Sequence, residues 1–142
     1  MASEDPDFVG ATWTTYSTAP SFIISSGTGM KTVYFKVKNG FGESFVVNDT
    51  ISVLVPSVTS FKINIGNSST ATELVTLNNT ASNFPTHYMV SEASDFSGAS
   101  WQPYTTTPKF TLSSDFGTKT IYFKVKNAFD ESAVVSDTIF LY

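Results

Sequence analysis

Two segments of nearly the same sequence, 88 positions apart, constrain this chain more than any other feature. KTVYFKVKN occupies residues 31–39 and returns as KTIYFKVKN at 119–127. Shifting residues 1–54 forward by 88 positions aligns them with residues 89–142 without a gap, and about 31 of the 54 pairs are identical. The chain is therefore built from a repeated unit, of which residues 1–54 contain only the later part.

The composition is typical of an all-β protein. Thr, Val and Phe are abundant, and these β-branched and aromatic residues suit half-buried strands. Only 14% of the residues are charged, and the eight basic residues lie largely in the repeated strand, which argues against a nucleic-acid partner. The absence of cysteine excludes a disulfide framework, so we expect the hydrophobic core alone to stabilise the fold.

Targeting and membrane signals are not recognisable in the sequence. The first ten residues, MASEDPDFVG, have neither a basic region nor an apolar region of the secretory kind. No apolar run approaches the roughly 20 residues of a transmembrane helix. We therefore expect no membrane span, and export would depend on a signal encoded upstream or on another route.

Alternating apolar residues predict short strands throughout residues 58–142. In the first predicted strand Phe61, Ile63 and Ile65 share one face, because side chains two apart in a strand point the same way. Pro85 opens a third predicted strand, THYMVSE. Further strands are predicted in ELVTLNN (73–79), KFTLSS (109–114), TKTIYFKVKN (118–127) and SAVVSDTIFLY (132–142).

The repeated strand has the clearest pattern. Ile121, Phe123 and Val125 alternate with lysines whose stems can lie over apolar neighbours on the other face. In the last strand Asp137 has the same parity as the inward residues. Because a buried carboxylate is costly without hydrogen bonds, we expect a bulge there or a carboxylate that accepts from the backbone.

Three stretches carry a resemblance to a known family: YMVSEASDFSGASWQPY (88–104), KFTLSSDFGTKTIYFKVKNAFDES (109–132) and VVSDTIFLY (134–142). They resemble the immunoglobulin-like, fibronectin-III-like repeats found in tandem in bacterial surface proteins and on some bacteriophage virions. The resemblance implies an antiparallel immunoglobulin-like β-sandwich without an active site. It divides the chain into a partial repeat (1–54), a linker (55–57) and a complete repeat (58–142).

Catalytic and metal sites are not predicted. His87 is the only histidine, so a Ser-His-Asp mechanism would depend on one residue within a predicted strand, and we expect no enzyme activity and no cofactor. The acidic run at 3–7, echoed at 91–95, could offer oxygen ligands to calcium, but its spacing is not that of an EF-hand, and a solvated loop is the favoured interpretation.

The aromatic residues are the candidates for contact with a partner. Trp13 with Tyr16, and Trp101 with Tyr104, would stack on a sugar if each pair shared one face, although residues three apart on a strand point to opposite faces. We therefore favour packing over carbohydrate binding for these four residues.

Two further aromatic residues lie at predicted hairpin tips. Phe41 in NGFGE and Phe129 in NAFDE are candidates for partner contact or for packing between consecutive repeats.

The sequence thus predicts a non-enzymatic structural or adhesive repeat at a cell surface or, alternatively, on a virion. Its partners would be other copies or neighbouring repeats, with a surface glycan or another protein as further partners and a carbohydrate-binding accessory module as the alternative function. Residues 1–54 lack the counterpart of 58–88. We therefore expect them to expose Phe35, Val37, Val47 and Ile51. The missing strands would be supplied either by upstream sequence or by another subunit, and without them the chain is expected to associate into oligomers.

Overall fold

The computed structural model describes residues 1–142, which form two compact units. Unit 1 comprises Met1–Leu54 and unit 2 comprises Val55–Tyr142. Both units are all-β, and the sequence-based prediction of an all-β chain with antiparallel sheets is confirmed. The chain contains no helix with the length and apolar character of a membrane crossing.

Unit 1 is a single three-stranded sheet. Its strands are β1 (Ala2–Ser3), β2 (Gly29–Phe35) and β3 (Val47–Val53), in the order β1-β2-β3 with antiparallel pairing. β2 and β3 form a long hairpin. β3 is an edge strand because it pairs only with β2. The face of this sheet is not covered by a second sheet of unit 1.

Unit 2 consists of two sheets. Its strands are β4 (Ser57–Ile63), β5 (Ser69–Thr70), β6 (Leu74–Ser82), β7 (His87–Ser91), β8 (Gln102–Pro103), β9 (Lys109–Thr111), β10 (Gly117–Lys126) and β11 (Val135–Leu141). One sheet has the order β5-β11-β10-β7-β8 and the other β4-β6-β9. Every pair is antiparallel except β5 with β11. The arrangement is consistent with a β-sandwich.

The core of unit 2 lies between these two sheets. β10 contributes Ile121, Phe123 and Val125, which are fully buried as the alternation predicts. Phe61 of β4 stacks on Phe123 with ring centroids 4.9 Å apart, and Tyr88 of β7 stacks on the same ring at 5.6 Å. Stacked aromatic rings of this kind add to the free energy gained by burial alone, so Phe123 is the centre of the core.

The first predicted strand of unit 2 ends earlier than its alternation indicates. Ile65 lies in a short 3-10 helix (Asn64–Gly66) with a positive φ of 62° and is 85% exposed, so its predicted inward position is wrong. The Asn64 side chain accepts a hydrogen bond from the Thr76 amide, and the Asn78 side chain accepts one from the Ile65 amide, both at 2.9 Å. These amide side chains turn the chain away from the core before Ile65.

The inward-facing carboxylate of β11 accepts from the backbone, which is one of the two alternatives that its parity indicated. Asp137 Oδ2 accepts a hydrogen bond from the amide of Ile63 at 2.9 Å, which joins β11 to the end of β4 in the facing sheet. An N–H group buried without a partner would cost about 1–3 kcal/mol, so this bond helps to fix one sheet on the other.

Candidate functional site

The exposed apolar face of the unit 1 sheet is the strongest candidate site. We call Phe35, Val37, Val47 and Ile51 the open face. Val47 and Ile51 are 60% and 55% exposed, as expected from the missing strands. Phe35 and Val37 are only half-buried rather than fully exposed. Exposed apolar residues grouped on one face of a sheet are typical of an interaction site.

The segment at residues 13–20 lies close to Phe35 and Val37 and contributes to their partial burial. The two residues line a cavity of about 160 Å³ together with Trp13, Tyr16 and Pro20. Residues 13–20 therefore lie beside part of the sheet. The structure brings Trp13 and Tyr16 to one cavity, which their spacing on a regular strand did not predict.

Trp101 and Tyr104 of unit 2 have different surroundings. Tyr104 packs against the hydrophobic core, whereas Lys124 and Lys126 place their Nζ atoms 5.3 and 4.6 Å from the centre of the Trp101 ring. Burial raises the pKa of the Tyr104 phenol above its ordinary value, and the Tyr88 pKa is raised for the same reason. The ammonium groups therefore make cation–π contacts with the indole of Trp101.

The same cation–π arrangement occurs on the outer face of unit 1. Lys38 Nζ lies 4.5 Å from the centre of the Trp13 ring, and Lys36 Nζ lies 4.6 Å from the centre of the Phe8 ring. Lys36 also pairs with Glu43 at 2.8 Å. The lysine stems and head groups therefore cover the aromatic residues, as the alternating pattern of the repeated strand predicts.

The two hairpin tips have the same backbone but different exposure. Asn39 Oδ1 accepts hydrogen bonds from the amides of Phe41 and Gly42 at 2.8 and 3.2 Å, and Asn127 makes the equivalent pair of bonds in unit 2. Phe41 is fully exposed at its tip, whereas Phe129 is 37% exposed. Phe41 is therefore the more available contact residue.

Carboxylates of the acidic runs accept hydrogen bonds from backbone amides and from a serine hydroxyl. Asp5 Oδ1 accepts from the Asp7 amide at 2.7 Å, and the two oxygens of Glu4 accept from the amide and hydroxyl of Ser25 at 2.8 and 3.1 Å. In unit 2 the Ser97 amide donates to Asp95, and this bond holds the pKa of Asp95 below its ordinary value. No group of three or more His, Cys, Asp or Glu side chains is placed to hold a metal ion.

The single histidine lies in β7, where its Nδ1 is 3.0 Å from the hydroxyl oxygen of the neighbouring Thr86. This local bond joins adjacent residues.

Asp49 lies on the same face of the sheet as the open-face residues, although the sequence analysis did not single it out. It has the register position of Asp137, since Asp49 pairs with Val33 as Asp137 pairs with Ile121. Asp49 Oδ1 accepts a hydrogen bond from the amide of its own neighbour Thr50 at 2.8 Å. The parity argument made for Asp137 applies equally to Asp49 and could have identified it.

Comparison with known proteins gives no family assignment: no protein-family model matches the sequence, and no curated protein matches it.

Proposed function

We propose that this chain is a non-enzymatic structural or adhesive repeat module of an extracellular or virion-surface assembly. Its fold type would be immunoglobulin-like, with fibronectin-III-like repeats as the nearest kind. The module would act through stacking on other copies or neighbouring repeats, and through contacts made by loops and strand edges. The observation that carries the proposal is the open face of unit 1 beside the unpaired edge of β3.

The physical argument is that such a surface favours association. Val47 and Ile51 present apolar area to water. Removing apolar surface from water contributes about 25 cal/mol per square ångström, part of which offsets the entropy lost on association. An edge strand adds unpaired N–H and C=O groups that another strand can bond. Both features occur on the same small sheet, so one partner can satisfy both.

Self-association of the full chain tests the proposal. We expect size-exclusion chromatography with light scattering to show a mass that rises with protein concentration. Ile51→Lys places a charge on the open face and should keep the chain monomeric. Thr50→Lys, on the opposite face of the same strand, is the matched control and should associate like the parent chain. A parent chain that stays monomeric up to high concentration would contradict association through this face.

A carbohydrate-binding accessory module is the second candidate, favoured by one observation. Trp13 and Tyr16 line the same cavity, and aromatic rings beside a cavity are a common feature of ligand sites. A glycan-array screen tests this function. Saturable binding that is lost in Trp13→Ala and kept in Trp101→Ala would favour it over the structural module.

A further inference from the structure

The partner of the open face can be specified further if the proposed function is correct. In unit 2 the sheet formed by β10 and β11 is covered by β4, β6 and the segment between them. Val75 and Leu77 of β6 are buried in this interface, and Phe61 of β4 stacks on Phe123. Residues 57–82 are therefore the cover of that sheet, and we refer to them as the covering hairpin.

The residues that receive the covering hairpin in unit 2 have counterparts on the open face. Phe123, Val125 and Ile139 correspond, 88 positions earlier, to Phe35, Val37 and Ile51, which have the same residue types. β2 and β3 also pair in the same register as β10 and β11. The open face thus has the shape and chemistry of a surface that is known, from unit 2, to accept such a hairpin.

The edge strands of the two units provide a second correspondence between unit 1 and unit 2. In unit 2 the covering hairpin also pairs with the outer edge of β11: the amides of Phe140 and Tyr142 donate to the carbonyls of Ser68 and Thr70 at 3.0 and 3.2 Å. β3 is the corresponding edge strand of unit 1. One continuous segment can therefore cover both the face and the edge.

The carboxylates provide the polar complementarity. Asp137 Oδ2 reaches across to the Ile63 amide of the covering hairpin, whereas the Asp49 carboxylate bonds to the amide of the next residue in its own strand. A carboxylate that accepts a backbone N–H makes a charge-assisted hydrogen bond, which is stronger than a neutral one. Asp49 is in position to make this bond to an incoming strand.

We propose that unit 1 binds a β-hairpin of the type formed by residues 57–82, supplied by a neighbouring repeat. Asp49 accepts the backbone N–H at the position of Ile63, and Phe35 stacks on an aromatic side chain at the position of Phe61. The chain's own covering hairpin is seated on unit 2, so the hairpin bound by unit 1 comes from another repeat.

An extended chain tests the proposal with the protein's own sequence. Residues 55–88 are added directly before Met1 of the full chain, because Met89, the counterpart of Met1, directly follows Tyr88. We expect hydrogen exchange at the amides of β2 and β3 to slow by at least about tenfold, towards the rates of β10 and β11. The amides of β10 and β11 serve as the internal control for folding.

Asp49 provides the residue-level test. Asp49→Ala should restore fast exchange in β2 and β3 of the extended chain and change exchange less than about twofold in the parent chain. Thr50→Ala, on the outer face, is the matched control and should leave the slow exchange intact. An extended chain indifferent to Asp49→Ala would overturn the role of Asp49.

Three outcomes would overturn the proposal that unit 1 binds the hairpin. Exchange in β2 and β3 could be unchanged by the extension, or slowed equally by an extension of scrambled sequence. It could also already be slow in the parent chain at concentrations where that chain is monomeric, in which case the open face is protected without a bound hairpin. If the extended chain aggregates, a peptide of residues 55–84 added to the parent chain gives the same readout, and no slowing there overturns the proposal.

This experiment separates the inference from the proposed function. If the parent chain self-associates but the hairpin does not slow hydrogen exchange in β2 and β3, hairpin binding is rejected and the proposed structural module is retained. If the parent chain stays monomeric and the hairpin does slow hydrogen exchange in β2 and β3, hairpin binding is retained and association between copies is rejected.

Discussion

Phe35 and Phe123 lie at the same place in two strands of nearly the same sequence, yet their environments differ. Phe123 is fully buried between Phe61 and Tyr88, whereas Phe35 is half-buried beside a cavity. Ile139 is likewise buried and its counterpart Ile51 is 55% exposed. The strand sequence determines which side chains share a face, and the facing sheet determines whether that face is buried.

The difference extends to strands that one unit lacks. Lys109–Thr111 form β9 because they pair with β6. Their counterparts at 21–23 form no strand, and Ile23 is 93% exposed. Likewise β2 ends at Phe35 while β10 continues to Lys126, where it pairs with the first residues of β7. A strand segment needs a partner to become a strand.

The turn that precedes the tryptophan, in contrast, has the same backbone in both units. The amides of Phe8 and Phe96 each donate to the carbonyl three residues earlier at 3.0 Å, and both residues have a φ of 58°. Their hydrogen bonds are local, so they form whether or not a facing sheet is present.

The largest expected difference between the units concerns the two central phenylalanines. Phe123→Ala removes a ring from a closed core and should lower the free energy of unfolding by about 3–5 kcal/mol. Phe35→Ala should cost less than half as much, because its ring is already in contact with solvent. Denaturant unfolding of single-tryptophan variants measures each unit separately, since Trp13 lies in unit 1 and Trp101 in unit 2. Equal losses would show that unit 1 is covered in solution.

The outer faces should behave alike. Lys124 pairs with Glu131 at 2.7 Å and lies 4.8 Å from the centre of the Phe96 ring, as Lys36 does with Glu43 and Phe8. Lys36→Ala and Lys124→Ala should each cost about 1 kcal/mol in their own unit, the sum of a cation–π contact and a partly exposed ion pair. If the two substitutions lower the free energy of unfolding by clearly different amounts, the outer faces are not equivalent. Thr50→Ala serves as the control substitution on the outer face.

Alkaline pH should lower the free energy of unfolding of unit 2 but not that of unit 1, and by less than the substitutions above. Burial raises the pKa of Tyr88 and Tyr104, so the folded state retains these phenolic protons to higher pH than the unfolded state. The stability that they contribute is fully present below about pH 10 and is lost as the pH rises through their folded pKa values. The unfolding midpoint reported by Trp101 should fall in this range, and Tyr104→Phe should reduce the fall. A midpoint reported by Trp13 that falls equally would contradict the assignment to unit 2.

The hairpin tips should show the smallest effects. Phe41→Ala should leave the melting temperature of unit 1 unchanged, because the ring is fully exposed. Phe129→Ala should lower the melting temperature of unit 2 by no more than a few degrees. A large drop for Phe129→Ala would show that this ring supports the fold and is not a free contact residue.

The sequence predicted those features that depend on alternation within one strand. The inward positions of Ile121, Phe123 and Val125 follow from parity alone, and the backbone partner of Asp137 is one of the two alternatives that its parity indicated. Ile65 does not follow its parity, because the Asn64 and Asn78 side chains end the strand before it. The cavity that brings Trp13 near Tyr16 depends on how residues 13–20 lie beside an uncovered sheet, which no local pattern encodes.

The Asn-closed hairpins also bear on the order of events during folding. Asn39 and Asn127 each hold a tip with two short-range hydrogen bonds, and the strands on either side are close in sequence, so each hairpin can form within microseconds. The pairing of β6 with β9 and the bond from Ile63 to Asp137 join distant residues and must follow more slowly. Unit 1 therefore shows that the hairpin and its Asn-closed tip do not require a covering sheet in order to form.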